Sequence, residues 1–133
     1  MQTTISVKFF MDYICEWCFL GYGILKRLRE KYDCNLEIYP LEIHPDTPPD
    51  GMPMSWHVHN EKRWVDQLNR LGEQYGLHLK NKEIFANTRN ALIVGQYAKT
   101  VGKVEGIHGR ALEGVHGGRR QYQRAKSSGE DCA

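Results

Sequence analysis

Asp12-Tyr13-Ile14-Cys15-Glu16-Trp17-Cys18-Phe19-Leu20-Gly21 is the stretch on which the reading of this chain turns. Just upstream, Ile5-Ser6-Val7-Lys8-Phe9-Phe10 is a β-branched and aromatic run that predicts a strand. Just downstream, Leu20, Ile24 and Leu28 recur at helical spacing with Leu25 alongside, while Arg27, Arg29, Glu30 and Lys31 fall off that face. Asp33 marks the expected end of this helix. Cys15 and Cys18 therefore stand where a strand gives way to a helix, the setting in which a C-x-x-C reads as a redox pair.

The chemistry follows from the backbone. A helix start presents unsatisfied N–H groups and the positive end of the dipole, and both favour a thiolate at Cys15 over a thiol. Cys18, one turn on, lies on nearly the same side and can resolve a mixed disulfide. Cys15 is thus the expected nucleophile and Cys18 the resolving thiol. Glu16 suits the dipole, but its charge next to the Cys15 sulfur opposes a second negative charge, so it is expected to moderate the drop in thiol pKa. Trp17 is expected to offer a docking surface beside the sulfurs, with simple packing over the helix start as the equally weighted alternative. Glu16 and Trp17 are accordingly the expected substrate-binding residues.

Farther out, Leu36, Ile38, Leu41 and Ile43 predict a second strand, at an edge or broken at Pro40 because proline cannot donate to a ladder. His44 to Pro53 is rich in proline and reads as a loop. Ser55 is placed to cap a helix running to Gly76, with Trp64, Leu68, Leu71 and Tyr75 on one face, Val65 beside them and Gly76 in the left-handed stop. A further helix is expected from Asn87, carrying Ala91, Val94, Ala98 and Val101 and stopping at Gly102. A shorter one follows with Val104, Ile107, Ala111 and Val115. From His116 to Ala133 the chain has no apolar period and is expected to be disordered. The organisation expected is a β-α-β part over 1–54, a helical insertion over 55–115 and a tail over 116–133.

With 133 residues the chain suits one domain, and a hydrophobic share of 41% supports a core. Eighteen basic against sixteen acidic side chains, a net charge of +2, argue against a nucleic-acid protein. No run reaches the roughly 20 apolar residues a membrane helix needs. Met1 to Phe10 does not read as a signal peptide, so the expected location is cytoplasmic. Of the four cysteines, Cys15 and Cys18 are too close to be a useful structural staple, since a disulfide gains most by closing a long loop. A zinc site is the alternative use of the pair, with His57 and His59 as the other two ligands, but no pattern supports it and no metal is expected. Cys34 reads as a small core or surface thiol. His44, His78, His108 and His116 read as ordinary surface or partly buried residues, and Arg119, Arg120, Arg124 and Lys126 as a solvated cluster.

Three ordered stretches resemble one family. Asp12-Tyr-Ile-Cys-Glu-Trp-Cys-Phe-Leu-Gly21 is similar to the D-x-x-C-P-W-C-x-x-G signature of DsbA-like, FrnE-type oxidoreductases of the thioredoxin superfamily. Leu41-Glu-Ile-His-Pro-Asp-Thr-Pro-Pro-Asp-Gly-Met-Pro53 resembles the family's loop after the second strand. Asn87-Thr-Arg-Asn-Ala-Leu92, with Tyr97-Ala-Lys99 and Gly102-Lys103, resembles its N-T-x-x-A helix. The resemblance covers roughly residues 5 to 112. It implies an α/β thioredoxin-like fold with a helical insertion after strand–helix–strand. It also implies thiol–disulfide exchange through Cys15 and Cys18 without a cofactor, with protein or small-molecule disulfides as partners and glutathione or a thioredoxin-type protein to recycle the pair.

Two departures qualify the expectation. Glu16 replaces the family's proline. No proline follows Pro53, and no strand candidate follows the helices, so the second half of the thioredoxin sheet, with its cis-proline, is expected to be missing from a C-terminally truncated product. Such a remnant would expose a sheet edge that a homo-oligomer could cover. The alternatives to a protein disulfide oxidoreductase are an inactive or partner-dependent fragment, and a glutathione-dependent protein like the related 2-hydroxychromene-2-carboxylate isomerases. The latter usually carry serine at the first cysteine, so the intact pair favours redox chemistry.

Overall fold

A computed structural model describes residues 4–57 and 61–116. Strand β1 (Ile5–Met11) runs into helix α1 (Glu16–Lys31), which returns the chain to strand β2 (Cys34–Pro40). The two strands pair in parallel, from Ile5 opposite Cys34 to Met11 opposite Pro40, and α1 is the crossover that a parallel pair requires. Alternation then sorts the side chains. Met11 and Ile38 are buried, with Phe9 and Leu36 packed beside them in the core. On the other face Phe10 stacks on Tyr39 at 5.1 Å between ring centroids, and the Lys99 ammonium lies 3.7 Å from the Tyr39 ring centre.

The remaining elements pack around this β-α-β unit. A two-residue strand β3 (Met52–Pro53) leads into a single helical turn α2 (Met54–His57), then helix α3 (Glu61–Gly72) and a 3₁₀ turn over Glu73–Tyr75. Strand β4 (Ile84–Phe85) pairs antiparallel with β3. Helices α4 (Arg89–Thr100) and α5 (Val104–His116) complete the described chain. Leu68 and Val65 of α3, Leu92 of α4 and Leu112 of α5 meet Phe19 and Leu20 of α1 in one core. A smaller cluster of Ile14, Met54 and Phe85 sits under the β3–β4 bridge.

Several sequence expectations are corrected here. Strand β2 stops at Pro40 instead of running on to Ile43, and Leu41 adds only a last bond from its N–H to the Met11 carbonyl at 2.9 Å. The helix expected over Ser55–Gly76 begins at Met54, with Ser55 inside its first turn, and α3 ends at Gly72, where an added Cβ would lie 2.9 Å from the Leu77 carbonyl. Gly76 still takes the left-handed stop, at φ 68°, but it closes the 3₁₀ turn. The proline-rich loop and the segment after α3 contribute the two residues each of β3 and β4, where no strand was expected.

The faces of the later helices are rotated from those expected. In α4 the buried residues are Leu92, Gly95 and Ala98, while Val94 and Val101 are exposed. In α5 they are His108, Leu112 and His116, one position on from the expected Ile107, Ala111 and Val115. In α1, Phe19, Leu20, Tyr22 and Gly23 are buried and Ile24 is not. His116, expected to open a disordered tail, is the fully buried last residue of α5. The rest of the expected tail, with Cys132 and the Arg119 cluster, and His59, lie outside the described residues. Among the described residues no helix is long and apolar enough to cross a membrane.

Candidate active site

The turn between β1 and α1 is built by Asp12. Its carbonyl accepts from the Cys15 N–H at 3.2 Å, and its buried carboxylate accepts from three donors. These are the Ile14 N–H at 3.2 Å, the Ile43 N–H at 2.9 Å and the Thr88 hydroxyl. One aspartate thereby ties together the reactive turn, the segment leaving β2 and the start of α4, and satisfies the rule that a buried charge be fully hydrogen-bonded. Thr88 is the N-cap residue of α4 yet makes no side-chain cap bond, because its hydroxyl is spent on Asp12.

Cys15 is the N-cap of α1. Its backbone is extended (φ −78°, ψ 116°), its carbonyl accepts the first helical bond from Phe19 N–H at 3.1 Å, and its sulfur accepts the Cys18 N–H at 3.3 Å. A sulfur thus fills the place usually taken by a serine or aspartate oxygen. The Cys18 thiol, hydrogen-bonded to this sulfur, lowers the Cys15 pKa; burial opposes it, the Cys18 N–H adds to it, the Glu16 charge opposes it and the Trp17 N–H adds to it. The balance brings Cys15 down to about 7. Cys18 moves the other way, because its proton is held by the Cys15 sulfur and because it is buried, and the charges of Cys15 and Asp12 add to the rise against an opposing bond from the Asp12 N–H. The cap geometry thus favours charge on the Cys15 sulfur over the Cys18 sulfur.

The two intervening residues part company. Trp17 is 52% exposed, and its ring meets the edge of Trp64 from α3 at 5.8 Å. Glu16, expected to face substrate, turns inward: Oε1 accepts from the Lys82 ammonium at 2.7 Å, and the Lys82 and Glu16 side chains are only 6% and 12% exposed. A carboxylate so enclosed and paired faces the interior, which is not the open placement a substrate-binding residue was expected to have. Its influence on Cys15 is as expected, raising the thiol pKa.

Lys82 leads to a second layer that the sequence reading missed. Its Nζ lies 3.4 Å from Nδ1 of His116, whose Nε2–H donates to the Tyr13 carbonyl at 2.6 Å. This network assigns a neutral imidazole protonated at Nε2. Burial and the Lys82 charge hold His116 down to about 3. The segment carrying Lys82 is zipped to the end of α5, with the Lys80 N–H donating to the His116 carbonyl at 2.8 Å and the Lys80 ammonium to the Gly114 carbonyl at 3.1 Å.

The Tyr13 side chain is held by the same helix. Its buried hydroxyl is hydrogen-bonded to Nδ1 of His108, itself held down to about 4 by burial, while burial also pushes Tyr13 up to about 12. The contact depends on Gly95, where an added Cβ would sit 2.3 Å from the Tyr13 hydroxyl and 3.1 Å from Cε1 of His108. The turn preceding Cys15 is thus clamped to α5 twice, by backbone and by side chain. The eight-residue spacing of His108 and His116, with Leu112 midway, was the available signal for a shared face; nothing in the local pattern marks Lys82. Among the described residues no group of three or more His, Cys, Asp or Glu is arranged to hold a metal. His57, the described member of the expected second ligand pair, packs against His44 and Phe85 at 4.8 and 4.0 Å between ring centres. Cys34 is half buried at the start of β2.

A parallel β-α-β unit that presents a cysteine pair at a helix start, followed by packed helices, is a thioredoxin-like arrangement. The chain belongs to the family of DSBA-like thioredoxin domains, whose model matches residues 6–129. Among solved structures it is similar to a probable DsbA oxidoreductase of Streptomyces coelicolor, with a TM-score of 0.72 and 17% identity, covering 96% of this chain and 64% of that one. It is also similar to the uncharacterized protein YwbO of Bacillus subtilis, 24% identical over 76 residues, which is 57% of this chain and 38% of that protein. The alignments therefore take in less than two thirds of the length of either relative. Family and fold together give the chain a DSBA-like thioredoxin domain.

Proposed function

We propose that the protein exchanges disulfides for dithiols through Cys15 and Cys18. The observation that carries this reading is the geometry at the start of α1, where the Cys15 sulfur caps the helix and accepts the Cys18 N–H at 3.3 Å, with the Cys18 thiol one turn on; this setting lowers the Cys15 pKa and raises that of Cys18. In the oxidising direction for the pair, the Cys15 thiolate attacks one sulfur of a partner disulfide and displaces the other as a thiolate, which takes up a proton. The Cys18 thiol then gives up its proton and attacks the Cys15 sulfur, closing the Cys15–Cys18 disulfide and releasing the second partner thiol. Two electrons pass to the partner, and the reverse sequence returns them. Trp17 and Trp64 form an aromatic lip beside the pair that suits the apolar flank of a peptide disulfide.

The test is alkylation of the reduced protein as a function of pH, read by intact mass, alongside Cys15→Ser and Cys18→Ser. One thiol is expected to react at mildly acidic pH, and that reaction to vanish in Cys15→Ser but persist in Cys18→Ser. Uniform titration of all thiols near the ordinary value of about 8.5 would refute the reading and leave a chain that carries the motif without the nucleophile.

A further inference from the structure

Glu16 presents a problem that the structure solves from a distance. It stands next to the nucleophile, where a negative charge disfavours a second one, and it is almost out of water, where an uncompensated charge is costly. The compensating charge comes from Lys82, sixty-six positions along the chain, in the segment between the 3₁₀ turn and β4. The ammonium is aimed by His116, whose Nδ1 lies on its other side. Among the described residues, the titratable groups in electrostatic reach of the pair include Cys15 itself, His57 at the end of α2, which in turn faces His44, and Lys80, which acts on His116.

We propose that Lys82 is a positioning residue for the cysteine pair: by neutralising Glu16 it keeps the first turn of α1 favourable to the Cys15 thiolate, so the segment between α3 and α4 sets the reactivity of the nucleophile. The inference rests on the disulfide-exchange reading of Cys15 and Cys18. It also accounts for how the chain tolerates a carboxylate between its cysteines, since the charge is cancelled in place by a buried partner.

The experiment follows Cys15 directly, by ultraviolet thiolate absorbance and by alkylation rate against pH, in wild type, Lys82→Met, Glu16→Gln and the double variant. Lys82→Met should raise the apparent pKa of Cys15, with about tenfold less thiolate at a given lower pH for each unit of rise. The same substitution added to Glu16→Gln should move Cys15 far less, because the lysine acts through the glutamate. Lys82→Arg should restore the wild-type titration. Equal shifts in both backgrounds, or none in either, would overturn the proposal. If Lys82→Met fails to fold, Lys82→Gln, which keeps a donor for Glu16 but not the charge, serves in its place; an unchanged titration there overturns it as well. A wild-type Cys15 that titrates like an ordinary thiol defeats the disulfide-exchange reading itself, whereas an acidic Cys15 indifferent to Lys82 defeats only the coupling.

Discussion

Acid should unfold this domain through two histidines. His108 and His116 are 1% and 0% exposed, and burial holds them at about 4 and about 3, against 6.5 for an ordinary histidine. Above pH 6.5 neither the folded nor the unfolded chain is protonated there, and the contribution to stability is constant. Below it the unfolded chain takes up protons that the folded chain refuses, so stability falls with falling pH until the folded-state values are reached. Each histidine removes at most about 1.4 kcal/mol per pH unit inside that window, and the pair about 2.7. Two units of acidification thus remove up to about 5 kcal/mol, as much as the whole stability of a weak domain. The assay is urea unfolding followed by fluorescence at half-unit steps between about pH 7.5 and 4.5, above the range where most carboxylates protonate. His116→Gln, whose amide can reach the Nε2 position and keep an N–H for the Tyr13 carbonyl, should roughly halve the slope. A midpoint that stays constant across the window, or an unchanged slope in His116→Gln, would refute the argument.

Two further substitutions test the supports of the reactive turn. Gly95→Ala forces a methyl to within 2.3 Å of the Tyr13 hydroxyl, and should cost about 1–3 kcal/mol in chemical unfolding; a change below about half a kcal/mol would mean that α4 can slide to admit it. Thr88→Val removes a donor from the buried Asp12 carboxylate and should cost about 1–3 kcal/mol. The same variant should leave Cys15 as the most acidic thiol, because the capping bond from Cys18 does not involve it; a Cys15 that then alkylates no faster than Cys34 would show that Asp12 governs the sulfur more directly.

The β-α-β unit and its cysteine pair were legible because they are written locally. A β-branched run, a helical period and a C-x-x-C between them each act within a few residues, and β1, α1 and the unequal thiols follow. The faces of α4 and α5 were misread because apolar side chains are a poor guide where backbones approach closely. Gly95 is buried against Tyr13 and His108, while Val94 beside it points to solvent. Histidine added to the error: His108 and His116 count as polar in a sequence pattern but serve as core when neutral and bonded. Glu16 was placed correctly at the first helical position, yet its direction was settled by Lys82, whose contact spans 66 positions and leaves no mark on the residues around either partner. Pro40 was rightly read as the point of weakness in β2, but the strand ends there because the following residues are drawn toward Asp12, a pull invisible from composition.

The double clamp on Tyr13 carries a consequence for the order of events during synthesis. Its two contacts span 95 and 103 positions. Cys15 and Cys18 therefore leave the ribosome long before the helix that fixes the turn in front of them. The helix start that acidifies Cys15 is local and can form early, but closing so long a loop is entropically costly and comes late. A nascent chain would then display reactive thiols on an unfastened turn, open to mispairing with Cys34, until α5 docks. Folding and protection of the pair would finish together, at the last turn of the last described helix.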